Sequence, residues 1–303
     1  MSWGEGVQLN CSKAGSFLAY GKAMRWEGGR RSTNIEDRRG LGAGTIGAGG
    51  IGTLLLVLAV SCLTGTNPLA LLNMVEEVAP EQTQSVPTGA PSNDPQAEFI
   101  AVVLADTEET WGRVFSAAGR QYREPVLVLF EDSVRSACGS ASSASGPFYC
   151  PGDQKVYLDL SFFRELDRRF GAPGDFAQAY VVAHEIGHHV QTLLGINRQV
   201  QEAQQGGGNR AGANALSVKL ELQADCFAGV WGHHASKKQL LDSGDVDEGL
   251  SAAAAIGDDR LTGGRVSPES FTHGTSQQRA QWLRQGLQTG DINSCDTFRS
   301  STY

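Results

Sequence analysis

The chain has 303 residues, 40% of them hydrophobic, and a formal net charge of −8. That length accommodates one sizeable domain with appendages. The acidic balance argues against a nucleic-acid-binding surface.

In chain order, residues 1–23 show no period or motif and read as a mis-assigned N-terminal extension, in which case Cys11 has no structural meaning. Residues 24–42 are basic, with Arg25, Arg30, Arg31, Arg38 and Arg39. From Gly40 to Val75 no residue is charged. Within this gap, residues 43–63 are rich in Gly, Ala, Leu and Val, and about 20 such residues can span a bilayer. Basic residues precede the span, while Glu76 and Glu77 follow it. The positive-inside rule then predicts a single-pass membrane protein with a cytoplasmic N-terminus and an extracytoplasmic catalytic domain. A removable signal peptide is the alternative, but no clean small-x-small cleavage site follows the apolar run. Residues 64–96, rich in Pro, Gln, Ser and Thr, read as a flexible linker. The folded domain is expected over residues 97–303.

That domain opens with a helix from Ala97 through Trp111 to Phe115. Glu124–Phe130 is a short apolar strand. Phe148–Cys150 and Lys155–Leu160 are two more strands around a Pro151-Gly152-Asp153 turn. Ser161–Phe170 is helical. Gly171–Gly174 breaks the chain, and Asp175 is expected to cap a helix that runs to a stop at Gly195. A small sheet followed by helices predicts an α+β fold. Gln201–Ala215, with three consecutive glycines, reads as a flexible connector to a further helix that includes Leu216, Leu220, Phe227 and Trp231. His233 and His234 are expected to be solvated near its end.

The helix after Asp175 carries His184-Glu185-Ile186-Gly187-His188. Residues four apart lie on one helix face, so His184 and His188 can present two imidazoles to one metal ion, with Glu185 as an adjacent carboxylate base. His189 points about 100° away and reads as structural. The next helix contains Glu221 and Asp225, again four apart, in an otherwise apolar segment. Buried carboxylates are costly unless paired or bound to metal. Glu221 is therefore the candidate third ligand of a Zn2+ site, and Asp225 the acceptor that fixes the tautomer of a ligand histidine. Two solvated acids on an amphipathic helix are the alternative.

HExxH followed by Glu-x-x-x-Asp resembles the gluzincin zinc peptidases. Met24-Arg-Trp-Glu, the stretch Ala137–Pro151, His184–His189, Glu221–Cys226 and Phe271–Ser276 together resemble a bacterial neutral zinc metallopeptidase family, from Met24 to about Phe298. This resemblance implies a zincin-like domain and zinc-dependent hydrolysis of a peptide or protein substrate. Glu185 would be general base, and His184, His188 and Glu221 the metal ligands. His273, with Arg279 six residues on, is similar to a segment after the third ligand in membrane-linked gluzincins. It is a candidate catalytic donor with Arg279 in support. In peptidases of this type an edge strand binds extended substrate, for which residues 146–149 are the candidate.

Cys138, Cys150, Cys226 and Cys295 form an even set inside the domain, and four cysteines allow three pairings. Cys138–Cys150 would close a Gly/Ser-rich loop, and Cys226–Cys295 would tie the third-ligand helix to the tail. Disulfides fit an oxidising compartment. A non-catalytic metal- or partner-binding protein of the same fold, or a zinc hydrolase acting on another amide, are the rival readings. Oligomeric state is not legible in the sequence.

Overall fold

A computed structural model describes residues 24–40, 89, 93–206 and 209–299. Its strands are β1 (Ile35–Asp37), β2 (Val126–Phe130), β3 (Ser133–Ser136), β4 (Gly139–Ser142), β5 (Phe148–Cys150) and β6 (Lys155–Asp159). Its helices are α1 (Pro95–Ala117), α2 (Ser161–Arg168), α3 (Asp175–Leu194), α4 (Ile196–Gln205), α5 (Arg210–Lys237), α6 (Asp245–Ala255), α7 (Asp258–Leu261) and α8 (Ser276–Thr289). The fold is α+β, as expected from a small sheet followed by helices.

The main sheet has the order β1-β2-β6-β5. β1 and β6 run parallel to β2, and β5 pairs antiparallel with β6 at one edge. The run Val-Leu-Val-Leu-Phe of β2 is apolar at every position because both faces are covered. Leu127 and Leu129 enter the main core beneath α1 and α3, whereas Val128 and Phe130 pack under the β3–β4 hairpin with Tyr157 and Cys150. Helix α1 starts where Asp94 accepts hydrogen bonds from the Gln96 and Ala97 amides, with Pro95 at its first position. It is buried along most of its length, from Phe99 to Phe115. Trp111 meets Phe227 of α5 edge to face, which ties α1 to the later helices.

Residues 24–40 belong to this domain, which corrects the expectation of a separate basic segment over 24–42. Ile35 is buried and pairs with Leu127. The arginines that suggested a cytoplasmic flank are ion-paired within the fold: Arg30 with Glu108, Arg31 with Glu98, Arg38 with Glu36, and Arg39 with Asp37 and Asp94. Ser32 donates to buried Glu108 as well. Strands β1 and β2 share one sheet and therefore one side of any membrane. A single crossing by residues 43–63 would separate them, so the single-pass topology conflicts with the sheet. Residues 43–63 themselves lie outside the described residues, as do residues 1–23. Among the described residues, no helix is long and apolar enough to cross a membrane.

Two further expectations change. Residues 201–215 are mostly helical: α4 continues to Gln205 and α5 begins at Arg210, where the Asn209 side chain accepts from the Gly212 amide. The glycines misled because two helices need only a short break between them. His233 and His234 lie within α5 and are half-buried, and His233 Nδ1 hydrogen-bonds the Leu287 carbonyl at 2.8 Å.

Candidate metal centre

Helix α3 presents His184 and His188 one turn apart, both toward α5. Its N-cap is Gly174, with Asp175 one place inside the helix rather than at the cap, and Gly195 ends it in the left-handed conformation. Gly187 sits between the two histidines where α5 crosses. A Cβ at Gly187 would lie 2.9 Å from the Ala224 carbonyl oxygen and 3.1 Å from Ala224 Cα. The missing side chain lets the two helices approach backbone to backbone, and this close approach brings Glu221 to the histidines.

The geometry is specific. His184 Nε2 lies 3.2 Å from Glu221 Oε2, and His188 Nε2 lies 3.4 Å from Glu221 Oε1. One donor atom from each of the three residues falls within 4.8 Å of the others. Tetrahedral zinc with bonds of about 2.0–2.1 Å sets neighbouring donors about 3.3 Å apart. Each ring is fixed from behind through Nδ1. His184 Nδ1 donates to Asp225 Oδ1 at 2.8 Å, and His188 Nδ1 donates to Gln191 Oε1 at 2.9 Å. Both Nε2 atoms are thereby left for a metal. Gln191 is fully buried and also donates to the Leu220 carbonyl at 2.7 Å, which locks its amide. Sequence reasoning missed Gln191, whose place three residues after His188 on the same helix face does not by itself show that it is buried.

Asp225 is held in turn. Arg279 of α8 grips it with Nε 2.9 Å from Oδ2 and Nη2 3.0 Å from Oδ1, and the Tyr180 hydroxyl donates to Oδ1 at 2.5 Å. Arg279 reaches this buried position because α8 packs directly on α5. A Cβ on Gly286 would stand 2.0 Å from the Cys226 carbonyl, and one on Gly229 2.2 Å from the Leu283 carbonyl. Disulfides Cys226–Cys295 and Cys138–Cys150 both form; the first ties α5 to the tail and the second closes the β3–β4 hairpin against β5.

Electrostatics follow from this packing. Burial opposes charge on Glu221, but His188 and His184 outweigh it and hold the carboxyl well below its ordinary range. Burial likewise opposes charge on Asp225, and Arg279 and His184 lower it. Glu185 is pushed up by burial. His184, despite burial, is raised to about 10 by Asp225 and Glu221. Glu185, Glu221 and Asp225 face one permanent cation, Arg279. A divalent metal would supply the missing positive charge. The donor set and its spacing therefore fit zinc.

His189 has no part in this set. It is buried on the other side of α3, where Nε2 donates to the Arg123 carbonyl at 2.6 Å and Nδ1 accepts from the Tyr149 hydroxyl at 3.1 Å. Burial lowers it to about 4, so it is neutral and braces α3 against edge strand β5. His273 sits in the loop before α8, whose N-terminus carries the Thr275–Gln278 capping box. Asp258 Oδ2 accepts from the amides of Thr272, His273 and Gly274, and its Oδ1 lies 3.1 Å from His273 Nδ1. Asp259 accepts from both the amide and the hydroxyl of Ser276. The paired aspartates thus shape the His273 loop, a role that their place at a helix start did not reveal.

Glu185, His184, His188, Glu221, His273 and Arg279 all border one open cavity of about 620 Å³. Phe148 and Tyr149 of β5 line its wall together with Phe162, Phe170 and Leu220. A cleft with two histidines and a glutamate converging at its floor, and a second glutamate beside them, defines a metal-dependent hydrolase type of site. Residues 24–298 match the model of the family described as "Putative neutral zinc metallopeptidase", and the chain belongs to that family. Its relatives include the uncharacterized protein YpfJ of Escherichia coli (strain K12), 47% identical over 288 residues, with 92% of this chain and all of the relative covered. The uncharacterized protein Rv2575 of Mycobacterium tuberculosis (strain ATCC 25618 / H37Rv) is 43% identical over 228 residues, covering 71% of this chain and 74% of the relative. No solved structure matches the chain.

Proposed function

We propose that the protein is a zinc-dependent endopeptidase with Glu185 as general base. The observation that carries this reading is the convergence of His184 Nε2, His188 Nε2 and the Glu221 carboxylate at donor spacing, in a cleft that Glu185 also lines. When bound by these three residues, zinc supplies Lewis acidity that polarises a carbonyl and acidifies water. Glu185 takes a proton from the attacking water and delivers it to the leaving amine. Burial raises its proton affinity, which suits it to carry that proton between the two steps. His273 donates a hydrogen bond to the developing oxyanion. Its Nδ1 lies beside Asp258 Oδ1, and in the imidazolium form both ring N–H groups donate, Nδ1 to Asp258 and Nε2 to the oxyanion. Arg279 acts through Asp225, which orients His184.

The wall of the cleft supports a peptide substrate. Among the described residues β5 is an edge strand with one side unpaired in the sheet order, and it borders the cavity. An extended peptide adds to such an edge through main-chain hydrogen bonds. This favours peptide substrates over a compact small amide. The two disulfides favour an extracytoplasmic location. A reporter enzyme that requires disulfides, fused after Tyr303, should then be active, and an inactive but intact fusion would argue for a reducing compartment.

The test of the activity compares the zinc-loaded full chain with Glu185→Gln on an unbiased peptide library. Loss of general-base catalysis is expected to lower hydrolysis at least about 100-fold with zinc content unchanged. Equal, negligible cleavage by both proteins at one zinc per chain would favour a binding protein instead.

A further inference from the structure

The serine-rich stretch between Cys138 and Cys150 has no part in the metal centre. It carries Ser140, Ser142, Ser143 and Ser145 and few side chains able to pack. The turn Ser143–Ser145 buries no residue. Yet Ser143, Ala144, Ser145, Gly146 and Pro147 border the cleft as a lip that leads directly into β5. A lip with no buried apolar anchor is held in place by polar contacts.

Those contacts converge on Asp159. The Ser143 amide donates to the Asp132 carbonyl at 2.9 Å, and the Ser143 hydroxyl donates to Asp159 Oδ2. Asp159 Oδ1 accepts from the Ser161 amide at 2.8 Å. Asp159 is the last residue of β6, where it pairs with Phe130, and Ser161 is the first of α2. One carboxylate therefore joins the sheet, the lip and the helix that brings Phe162 to the cleft. Phe162 in turn lies against the lip: a Cβ at Gly146 would stand 3.6 Å from its Cε2. Asp159 is only 5% exposed, and among the described residues no lysine, arginine or histidine forms an ion pair with it. Burial opposes its charge, but hydrogen bonds from Ser143 and Ser161 hold the carboxyl below its ordinary range. Hydroxyl and amide donors thus take the place of a cation around this buried acid.

β5 has only three residues, Phe148–Cys150. Strand addition to so short an edge makes few main-chain hydrogen bonds, so a peptide crossing the cleft needs wall beyond the strand. The lip continues that wall. We propose that Asp159 is a positioning residue for substrate: by tying Ser143 to the start of α2 it fixes the Ser143–Pro147 lip as the extension of β5 that grips the flanking part of the peptide. The assignment rests on the peptidase reading. Neither residue of the tether lies on α3 or α5, which carry the metal ligands. Its loss therefore weakens the binding of long substrates and leaves the chemistry in place, which raises KM and spares kcat.

Kinetics of the zinc-loaded full chain test this with two substitutions at one position. Ser143→Ala removes the lip's side of the tether and leaves Asp159 on Ser161; Ser143→Thr keeps the hydroxyl. On a cleaved peptide of roughly ten residues, Ser143→Ala should raise KM about fivefold, the worth of one hydrogen bond, with kcat within about twofold and zinc content unchanged. Ser143→Thr should restore KM. A blocked peptide trimmed to the residues next to the scissile bond should show no such rise. Asp159→Ala should raise KM at least as far, and adding Ser143→Ala to it should change nothing more, because the two residues act as one unit. In a Glu185→Gln background the same substitutions should weaken binding of the longer peptide, read by fluorescence anisotropy, by the same factor. Unchanged KM and unchanged peptide affinity in Ser143→Ala, with the parent protein still cleaving the peptide, would overturn the proposal and leave the peptidase reading standing. A lower Tm in Asp159→Ala with KM unaltered would make the tether purely structural and overturn it as well. A parent protein that neither cleaves nor binds any peptide would overturn both readings.

Discussion

Gly187→Ala is the sharpest test of how the metal centre is assembled. The added methyl would meet backbone atoms of Ala224 at 2.9 and 3.1 Å, not the end of a flexible side chain that could swing away. Restoring an ordinary contact of about 3.4 Å requires α3 and α5 to separate by about 0.5 Å, whereas a metal site tolerates ligand displacements of about 0.2 Å. Overpacking costs about 3 kcal/mol where both partners are helix backbone, and the better helix propensity of alanine returns about 1 kcal/mol. The net loss of about 2 kcal/mol corresponds to a fall in Tm of roughly 4–8 °C for a domain of this size. Zinc affinity, measured by competition with a chromophoric chelator, should weaken at least tenfold because Glu221 moves with α5. A Tm at or above wild type together with zinc affinity within twofold would refute the idea that Gly187 sets the ligand spacing.

Other outcomes follow from the same geometry. Asp225→Asn leaves Arg279 buried without its carboxylate and disturbs the His184 tautomer; stability should drop by about 3–5 kcal/mol in denaturant titrations and zinc affinity by about 10–100-fold. Cys226→Ser/Cys295→Ser opens a loop with a sequence separation of 69, for which the chain-entropy model gives about 4 kcal/mol; urea midpoints of the oxidised and mutant proteins would measure it. Burial, with Asp175 and Asp245 close by, raises Glu248 to about 7. The folded state then holds a proton that the unfolded chain releases, so this contribution to stability is complete below the unfolded pKa of about 4.3 and is lost as pH rises towards 7. Glu248→Gln should flatten that part of the Tm–pH profile, and an unchanged profile would remove Glu248 as its source.

Much of the metal centre was legible because its signals are local. The i, i+4 spacing of His184 and His188, the Thr275–Gln278 cap and the Gly195 stop each depend on one helix's own geometry. The third ligand was legible for a different reason: carboxylates in an apolar segment demand a partner. Gln191 and the hold of Asp258 on the His273 loop were not legible, since a buried glutamine or a helix-start aspartate looks the same whether it caps, braces or faces solvent. The basic segment 24–42 was misread on the same grounds. Its arginines resemble a membrane flank in composition, and only their partners on α1 and in the sheet show them to be structural.

By itself, then, the sequence determined which residue types could bind a metal, on which helices they sit, and that the fold is α+β, because helix periodicity and burial preference act within a few residues. The tertiary structure decided how those helices meet. Gly187 against Ala224 sets the distance from the histidines to Glu221, and Gly286 against Cys226 delivers Arg279 to Asp225. It also brought the Met24 amide to Asp175 at the start of α3, 151 residues away in the chain. Such contacts depend on close packing between segments distant in sequence, and no local pattern encodes them.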